Sequence, residues 1–564
     1  MTRSAGVRSW TPERVDRAAW AVLAVAGAVS AALLLRLNDG GIFFFDELRW
    51  FSDLGGENDL ESVLMPHNSH LHGTIRALYL LTMETIGTEY LVFRILGVIA
   101  VLLCAGLFFA LAKRRIGTLP ALVPAILLLF YGAAWQHVVV PIGFTPLFSI
   151  AAGLGALLAI EREDRRGDLI ACALVCLSVF TFTVGLGFLV GVAISVLLRS
   201  DRLRRAWVFA VPLALYVTWW VWARQFDQTR TDASNVDAVV PFVSDSLNVV
   251  TGSLTGVNIP FARGDELPVS FLSTSVLGWV TAAALAILVA WRISRGSVPR
   301  SLWVSLGVLG TYWLAGALAT PLMSGPQAEA VRYLFPGTVG VLLVATDAAR
   351  GIRFGRAGLV ALIAVGAFSL VMNGLYLRDG AAYYTDDYSP RTKAQLTMFE
   401  LGSGLDPGGD GGEPLQETRE ILPPGFGVTA FDRGADGYLV AVQRYGSPAL
   451  TLDELRGETP VVQQEADVWL AVSYELALEP AAGPDRLRGC RTVSAGEPVE
   501  LGAGGALFRV AGPEPSTLHV RRFGEPPGHP VGTLEPGPWS ELRIPTDAAP
   551  EPWFASAESQ DVTA

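Results

Sequence analysis

The sequence predicts an all-α polytopic membrane bundle of about eleven transmembrane helices, followed by a soluble C-terminal domain that runs from α/β to β-rich. Three observations predict it. Of 564 residues, 51% are hydrophobic and only 17% charged, where a soluble protein carries roughly a quarter. The apolar residues gather between residues 18 and 376 in blocks that could cross a bilayer, which takes about 20 apolar residues per helix. Beyond residue 376 the chain turns polar, acidic and rich in Gly and Pro. The expected division is a transmembrane domain over 1–376, with a first outer loop at 37–89, and a soluble domain over 377–564.

The candidate spans are residues 18–36, 90–112, 119–135, 144–160, 169–184, 186–199, 206–223, 270–291, 301–320, 336–349 and 357–376. The pairs after residues 119 and 169 could each be one long span or two short ones, broken at Pro141, Gly143 and Pro146, or at Gly185 and Gly187. Charge sets the orientation, because Arg and Lys collect in short cytoplasmic loops. Arg3, Arg8, Arg14 and Arg17 precede the first span, and Lys113, Arg114 and Arg115 follow the second. Arg162, Arg165 and Arg166 come next, then Arg199, Arg202, Arg204 and Arg205, then Arg292, Arg295 and Arg300, then Arg350, Arg353 and Arg356. Every alternate loop is basic. The expected topology places the N-terminus in the cytoplasm, the tail outside the plasma membrane, and the first span as an uncleaved anchor.

Two long outer loops result, 37–89 and 224–269, with a shorter one at 321–335. Leu48–Leu54 and Thr74–Ile86 read as helices lying flat on the membrane, and Trp219, Trp220 and Trp222 as an aromatic belt. The net charge of −11 comes from the tail, where Asp and Glu outnumber Arg and Lys about two to one. Such a tail argues against a nucleic-acid partner. Cys104, Cys172 and Cys176 lie in apolar segments as core residues, and Cys490 is alone in the tail, which leaves no internal disulfide there.

The residues that could carry chemistry cluster in the outer loops. Asp46 and Glu47 follow Phe43-Phe44-Phe45 just past the first span. Carboxylates against an apolar wall can act as bases, or can simply be solvated at a helix start. Pro66-His67-Asn68-Ser69-His70-Leu71-His72 holds three of the six histidines. Metal binding, phosphate or sugar contacts and an ordinary polar loop all fit it, although His-x-x-His-x-His is not a zinc spacing. Arg76 lies in the second candidate surface helix, Arg94 near the outer end of the second span, and Arg332-Tyr333 before the tenth span. A guanidinium matches phosphate with a planar fork, and can equally snorkel or form a structural ion pair.

These pieces, in this order, resemble the polyprenyl-phosphate-sugar-dependent membrane glycosyltransferases of the GT-C superfamily, such as the protein O-mannosyltransferases and lipid A aminoarabinose transferases. The resemblance covers about residues 18–376. It rests on Phe-Phe-Phe-Asp46-Glu47, on Pro66-His67-Asn68-Ser69-His70 leading to Leu78-Tyr79, on Phe93-Arg94-Ile95-Leu96-Gly97 with Arg114-Arg115-Ile116-Gly117, and on Val331-Arg332-Tyr333-Leu334-Phe335-Pro336. It implies sugar transfer, hexosyl or pentosyl, from a polyprenyl-phosphate donor in the membrane to an extracytoplasmic cell-wall glycan, lipid or protein. Asp46 would be the base, with Glu47 beside it. His67, His70, His72, Arg76, Arg94, Arg332 and Tyr333 would contact substrate. No cofactor is fixed, and a divalent metal is left open. Two positions depart from relatives: Trp135–Pro146 has no second acid, and Thr181–Gly185 has no Lys.

In the tail, residues 401–416 read as a flexible loop, Val428–Phe431 and Val468–Val472 as strands, and Gly437–Tyr445 as a helix. Short strands are expected at Val499–Leu501, Ala506–Val510, Leu518–Arg522 and Leu542–Ile544. The tail carries no P-loop, dinucleotide fingerprint or nucleophile elbow, and reads as an acceptor-binding or cell-wall-binding part. The competing function is a polytopic transporter or lipid flippase. Those place ionisable groups near the bilayer midplane and often show internal repeats, neither of which is evident here.

Overall fold

The structure, a computed structural model, describes the chain except residues 1–10, 57, 69, 227–232, 260–270, 297, 319–326, 406, 409–434, 484–489, 503 and 548. Helix α1 (Pro12–Leu37) is followed by the short α2 (Asp46–Leu54), α3 (Leu60–Leu64) and α4 (Gly73–Ile86). Next come α5 (Leu91–Ile116), α6 (Thr118–Leu129), α7 (Trp135–Val138), α8 (Phe144–Ile160), α9 (Arg165–Thr181), α10 (Gly185–Leu197) and α11 (Arg202–Arg205). The helices α12 (Trp207–Ala223), α13 (Val239–Thr255), α14 (Val276–Ser294), α15 (Arg300–Leu318), α16 (Leu334–Ala348) and α17 (Arg356–Ala382) follow. The chain then forms α18 (Ser389–Gly402), α19 (Ala435–Tyr445), α20 (Leu452–Arg456) and α21 (Pro460–Ser473) before its strands. It divides into two compact units.

The first unit comprises residues 1–39, 59–79 and 91–384. Each of the eleven predicted segments is occupied by a helix. Seven helical stretches among the described residues are long and apolar enough to cross a membrane. The helices α9, α10, α12 and α16 are shorter, at 13–17 residues. Large apolar side chains such as Val25, Val29, Val280, Ile287, Val360 and Val371 lie exposed along α1, α14 and α17. Such exposure suits a hydrocarbon surround, and the protein is a multi-pass membrane protein. Both ambiguous stretches are broken, the first into α6, α7 and α8 and the second into α9 and α10. A 3-10 turn, Pro141–Gly143, separates α7 from α8, and α9 ends at Thr181 before α10 begins at Gly185. The sequence reading missed α13, which occupies much of the expected 224–269 loop and packs against α14, α15 and α16. Trp219 is also not a belt residue. It is buried with Leu71 and Ala223, and its indole donates to Leu64 O at 2.8 Å.

Side chains fasten this bundle. Ser149 and Ser178 donate to each other's carbonyl oxygens at 2.8 and 2.7 Å, joining α8 to α9. The broken stretch between α6 and α8 pairs only part of its own backbone, and side chains from neighbouring helices meet some of the rest. Asn373 of α17 accepts from Ala133 N at 3.0 Å and donates to Ser253 O at 3.1 Å. Asn38 donates to Val139 O at 3.2 Å, and Ser30 to Leu129 O at 2.8 Å. Gly132 lies so close to Asn373 O that a Cβ would meet it at 1.9 Å. At the basic ends, Arg115 of α5 pairs with Asp347 of α16 at 2.7 Å, both buried, and Ser305 Oγ donates to the same carboxylate at 2.6 Å.

The second unit comprises residues 40–58, 80–90 and 385–564. Parts of the first outer loop therefore cluster with the tail. The expected flat face of Leu48–Leu54 is not left for the membrane: Leu48, Trp50, Phe51 and Leu54 of α2 are buried, and the helix packs on α19. Gly55 and Gly437 permit the approach, since a Cβ on Gly55 would lie 2.3 Å from Gly437 O. The helices α18 and α21 share a core with two antiparallel sheets. One sheet has the order β1 (Leu478–Ala481), β7 (Trp539–Leu542), β4 (Ala506–Val510), β9 (Val562–Thr563), β2 (Thr492–Val493). The other has the order β3 (Val499–Leu501), β8 (Trp553–Ala557), β5 (Ser516–Arg521), β6 (His529–Leu534). Gly437–Tyr445 is helical as expected. Val468–Val472 is not a strand but part of α21, whose Pro460 start and period-3.6 burial of Val462, Ala466, Trp469 and Leu470 favour a helix. Of the expected strand Leu542–Ile544 only Leu542 is in a strand, as the last residue of β7. The predicted strand Val428–Phe431 lies outside the described residues.

The Arg115–Asp347 pair generates a stability prediction. Asp347→Ala leaves the buried Arg115 guanidinium with a 3.8 Å contact to Glu161 as its remaining ion pair among the described residues, and lowers unfolding stability by about 3–5 kcal/mol, whereas Arg115→Met with Asp347→Leu recovers most of it. Thermal unfolding of the purified protein in detergent reads both, and an unchanged midpoint in Asp347→Ala contradicts the assignment.

Candidate functional site

In the second unit, the turn into α2 distinguishes the two acids. Phe45 holds φ +43°, a left-handed backbone that side chains avoid, and it precedes Asp46, the first residue of α2. Glu47 is fully buried. Its Oε2 accepts from Phe44 N at 2.8 Å and from the Tyr90 hydroxyl at 2.9 Å. It thereby holds the strained turn and ties it to the segment before α5. Asp46, one step round the helix, is half-exposed. Neighbours on a helix point about 100° apart, so one acid is committed to the interior while the other retains access to solvent. Tyr388 completes the turn: its hydroxyl accepts from Phe45 N at 2.9 Å, and its ring lies 4.6 Å from Phe44. Lys393 donates to Gly40 O at 2.9 Å. Sequence reasoning missed Tyr90, Tyr388 and Lys393, which lie in no motif and far from Asp46 in sequence.

In the first unit, the three histidines form a compact turn. His67 and His70 exchange backbone hydrogen bonds at 3.1 and 2.9 Å around Asn68, whose φ is +49°. The ring centroids of His67 and His70 each lie 5.9 Å from that of His72. Phe182 sits against His70 and His72 at 4.7 and 5.1 Å, and Thr183 Oγ1 bonds His70 Nδ1. The stretch that lacks a Lys is thus the one that holds the histidines. His67, His72 and Arg76 are buried. Burial, then the charges of His70, His67 and Arg76, hold the His72 pKa well below its ordinary 6.5. Among the described residues no group of three or more His, Cys, Asp or Glu is arranged to hold a metal ion.

The arginines differ. Arg94 is engaged at the end of α1. Its Nε donates to Asn38 Oδ1 at 2.8 Å, one terminal nitrogen pairs with Asp39 at 2.9 Å, and the other bonds Leu35 O. Arg332 is exposed, donates to Gln327 at 3.1 Å, and stacks 5.2 Å from the Tyr333 ring centre. It forms no ion pair among the described residues. Tyr333 O accepts from Tyr312 at 3.0 Å. Helix α7 packs on the 3-10 turn that carries Arg332, and its His137 is buried within reach of the Arg332 charge. The Nδ1 of His137 has no hydrogen-bond partner among the described residues. His137 lies in Trp135–Pro146, the stretch in which the sequence reading looked for a second acid.

No family profile matches the chain, and no curated protein does. Among solved structures, the oligosaccharyltransferase of Archaeoglobus fulgidus in its apo form is similar, at 12% identity and a TM-score of 0.42, over 94% of this chain and 76% of that one. A likeness that distant carries no argument for fold or chemistry, and the site stands on its residues.

The histidine turn predicts a pH dependence. The folded pKa of His72 is lowered, so the unfolded chain takes up the proton first, and stability is lost as pH falls through about 6.5 and below. Thermal midpoints of the purified protein drop between pH 7.5 and 5.5, and His72→Gln flattens that slope. An equal slope in the variant assigns it to other groups.

Proposed function

We propose that the chain is a membrane glycosyltransferase that moves a sugar from a polyprenyl-phosphate donor to an extracytoplasmic acceptor hydroxyl. The observation that carries this reading is the separation of the two acids: Glu47 is spent on backbone and Tyr90 hydrogen bonds, and Asp46 is left half-exposed at the end of a strained turn. In this reading the acceptor oxygen bonds to the anomeric carbon, its proton passes to Asp46, and the bond from that carbon to the phosphate oxygen breaks. The departing phosphate carries away its own charge, so no acid partner is needed. Arg332, exposed and without an ion pair among the described residues, stabilises that charge, with Tyr333 beside it. Arg94, whose nitrogens are already engaged, serves by positioning Asn38 and the end of α1. His67, His70, His72 and Arg76 shape the wall that meets the substrate. The proposed topology keeps the N-terminus in the cytoplasm and the tail outside the plasma membrane, where a cell-wall glycan, lipid or protein would be the acceptor.

Single-turnover transfer from labelled polyprenyl-phosphate sugars, beside a donor-binding assay, tests this. Asp46→Asn lowers turnover about 10²–10⁴-fold with donor binding kept. Glu47→Gln lowers thermal stability, by about 1–3 kcal/mol for a weakened buried acceptor, and costs less in turnover. Arg332→Ala weakens donor binding several-fold, and Lys restores it in part. Full activity in Asp46→Asn rejects the assignment, and no transfer by the unaltered protein from any such donor favours a transporter.

A further inference from the structure

A cavity of about 630 Å³ lies in the first unit, between the end of α14, the segment just before α15 and the segment that follows α16. Trp291, Arg292, Arg295, Pro299, Arg350 and Ile352 line it. The lining holds three guanidinium groups and no carboxylate. Arg292 is half-buried, and its Nε is shut off from solvent with no hydrogen-bond partner among the described residues. Arg295 stacks on Trp291 at 4.9 Å, and Arg350 makes only a long 3.5 Å contact with Ser301. None of the three forms an ion pair among the described residues. Two other arginines of the unit, by contrast, are ion-paired: Arg115 with Asp347, and Arg199 with Glu163 at 2.8 Å.

Three like charges around one concavity repel unless an anion sits among them, and a buried guanidinium N–H without an acceptor costs the desolvation of that donor. A phosphate group meets both needs, since its oxygens take paired guanidinium donors. The size is that of a small-molecule site, roughly 300–1,000 Å³. The surroundings indicate the source of the phosphate. Helix α14 is the least covered of the candidate spans, with 11% of its apolar window buried, and Val280, Ile287, Trp291 and Ile293 are exposed along it. Acyl chains can lie along that helix while the head group enters the cavity. Basic pockets between helix ends at a membrane surface take anionic head groups in this way.

We propose that this cavity binds the phosphodiester head group of an anionic phospholipid. It lies at the opposite end of α16 from Arg332. That helix has 15 residues, or about 22 Å at 1.5 Å per residue, so this is a second phosphate seat, independent of the proposed reaction.

Native mass spectrometry of the full-length protein in detergent, titrated with phosphatidylglycerol or phosphatidylcholine, tests the proposal. The unaltered protein retains phosphatidylglycerol in preference to phosphatidylcholine. The triple variant Arg292→Gln, Arg295→Gln, Arg350→Gln loses at least about tenfold in occupancy, as expected for losing charge-assisted hydrogen bonds. The control Arg202→Gln, Arg204→Gln removes exposed charge outside the cavity and changes occupancy less than about twofold. Should the triple variant unfold early, the single exposed Arg295→Gln carries the test, with a several-fold loss expected and partial recovery in Arg295→Lys. Equal losses in test and control variants, or equal retention of the two lipids, overturn the proposal. Displacement of phosphatidylglycerol by millimolar sodium phosphate assigns the seat to free phosphate and overturns the lipid assignment.

Discussion

Backbone that is not helical needs hydrogen-bond partners wherever water is absent. The first unit is organised around that requirement. Between α6 and α8 the chain breaks its helix twice, and each break is met by a side chain from elsewhere: Asn373 at Ala133, Asn38 at Val139, Ser30 at Leu129. These bonds fix where α7 lies, and α7 in turn packs on the turn carrying Arg332. Arg94 belongs to the same system. By holding Asn38 and the carbonyl of Leu35, it keeps the Asn38 amide aimed at Val139. Arg94, expected from its place in a span to meet substrate, makes contacts that also brace irregular backbone.

The acidic turn answers a related demand. Phe45 is strained by its positive φ, which costs on the order of 1–3 kcal/mol for a residue with a side chain. Glu47 holds the turn from inside and Tyr388 from outside. Asp46 therefore opens a helix whose entry turn is fixed by Glu47 and Tyr388.

Much of this was legible in the sequence, and the reason is periodicity and charge. Arginines in alternate loops marked the helix ends, and all eleven segments are helical. Asp46, the histidine turn and Arg332 stood out because polar groups beside apolar runs are conspicuous. What escaped was long-range pairing. Nothing near Asn38 indicates Val139, and nothing near Asp46 indicates Tyr388. Helix α13 escaped because its polar Ser, Asn and Thr residues, buried against α14 and α16, read as loop. Val468–Val472 was misjudged because a short β-branched apolar run fits a strand or a buried helix equally well.

The packing of α2 on α19 has a consequence for synthesis. The Tyr445 hydroxyl bonds Leu54 O across 391 residues. At about 5–20 residues per second, the ribosome needs roughly 20–80 s to make the intervening chain. Throughout that interval Leu48, Trp50, Phe51 and Leu54 lack the surface that later covers them. The order of manufacture therefore sets a waiting time in which the helix carrying Asp46 has to be shielded from aggregation, and the last third of the protein decides when the first loop is finished.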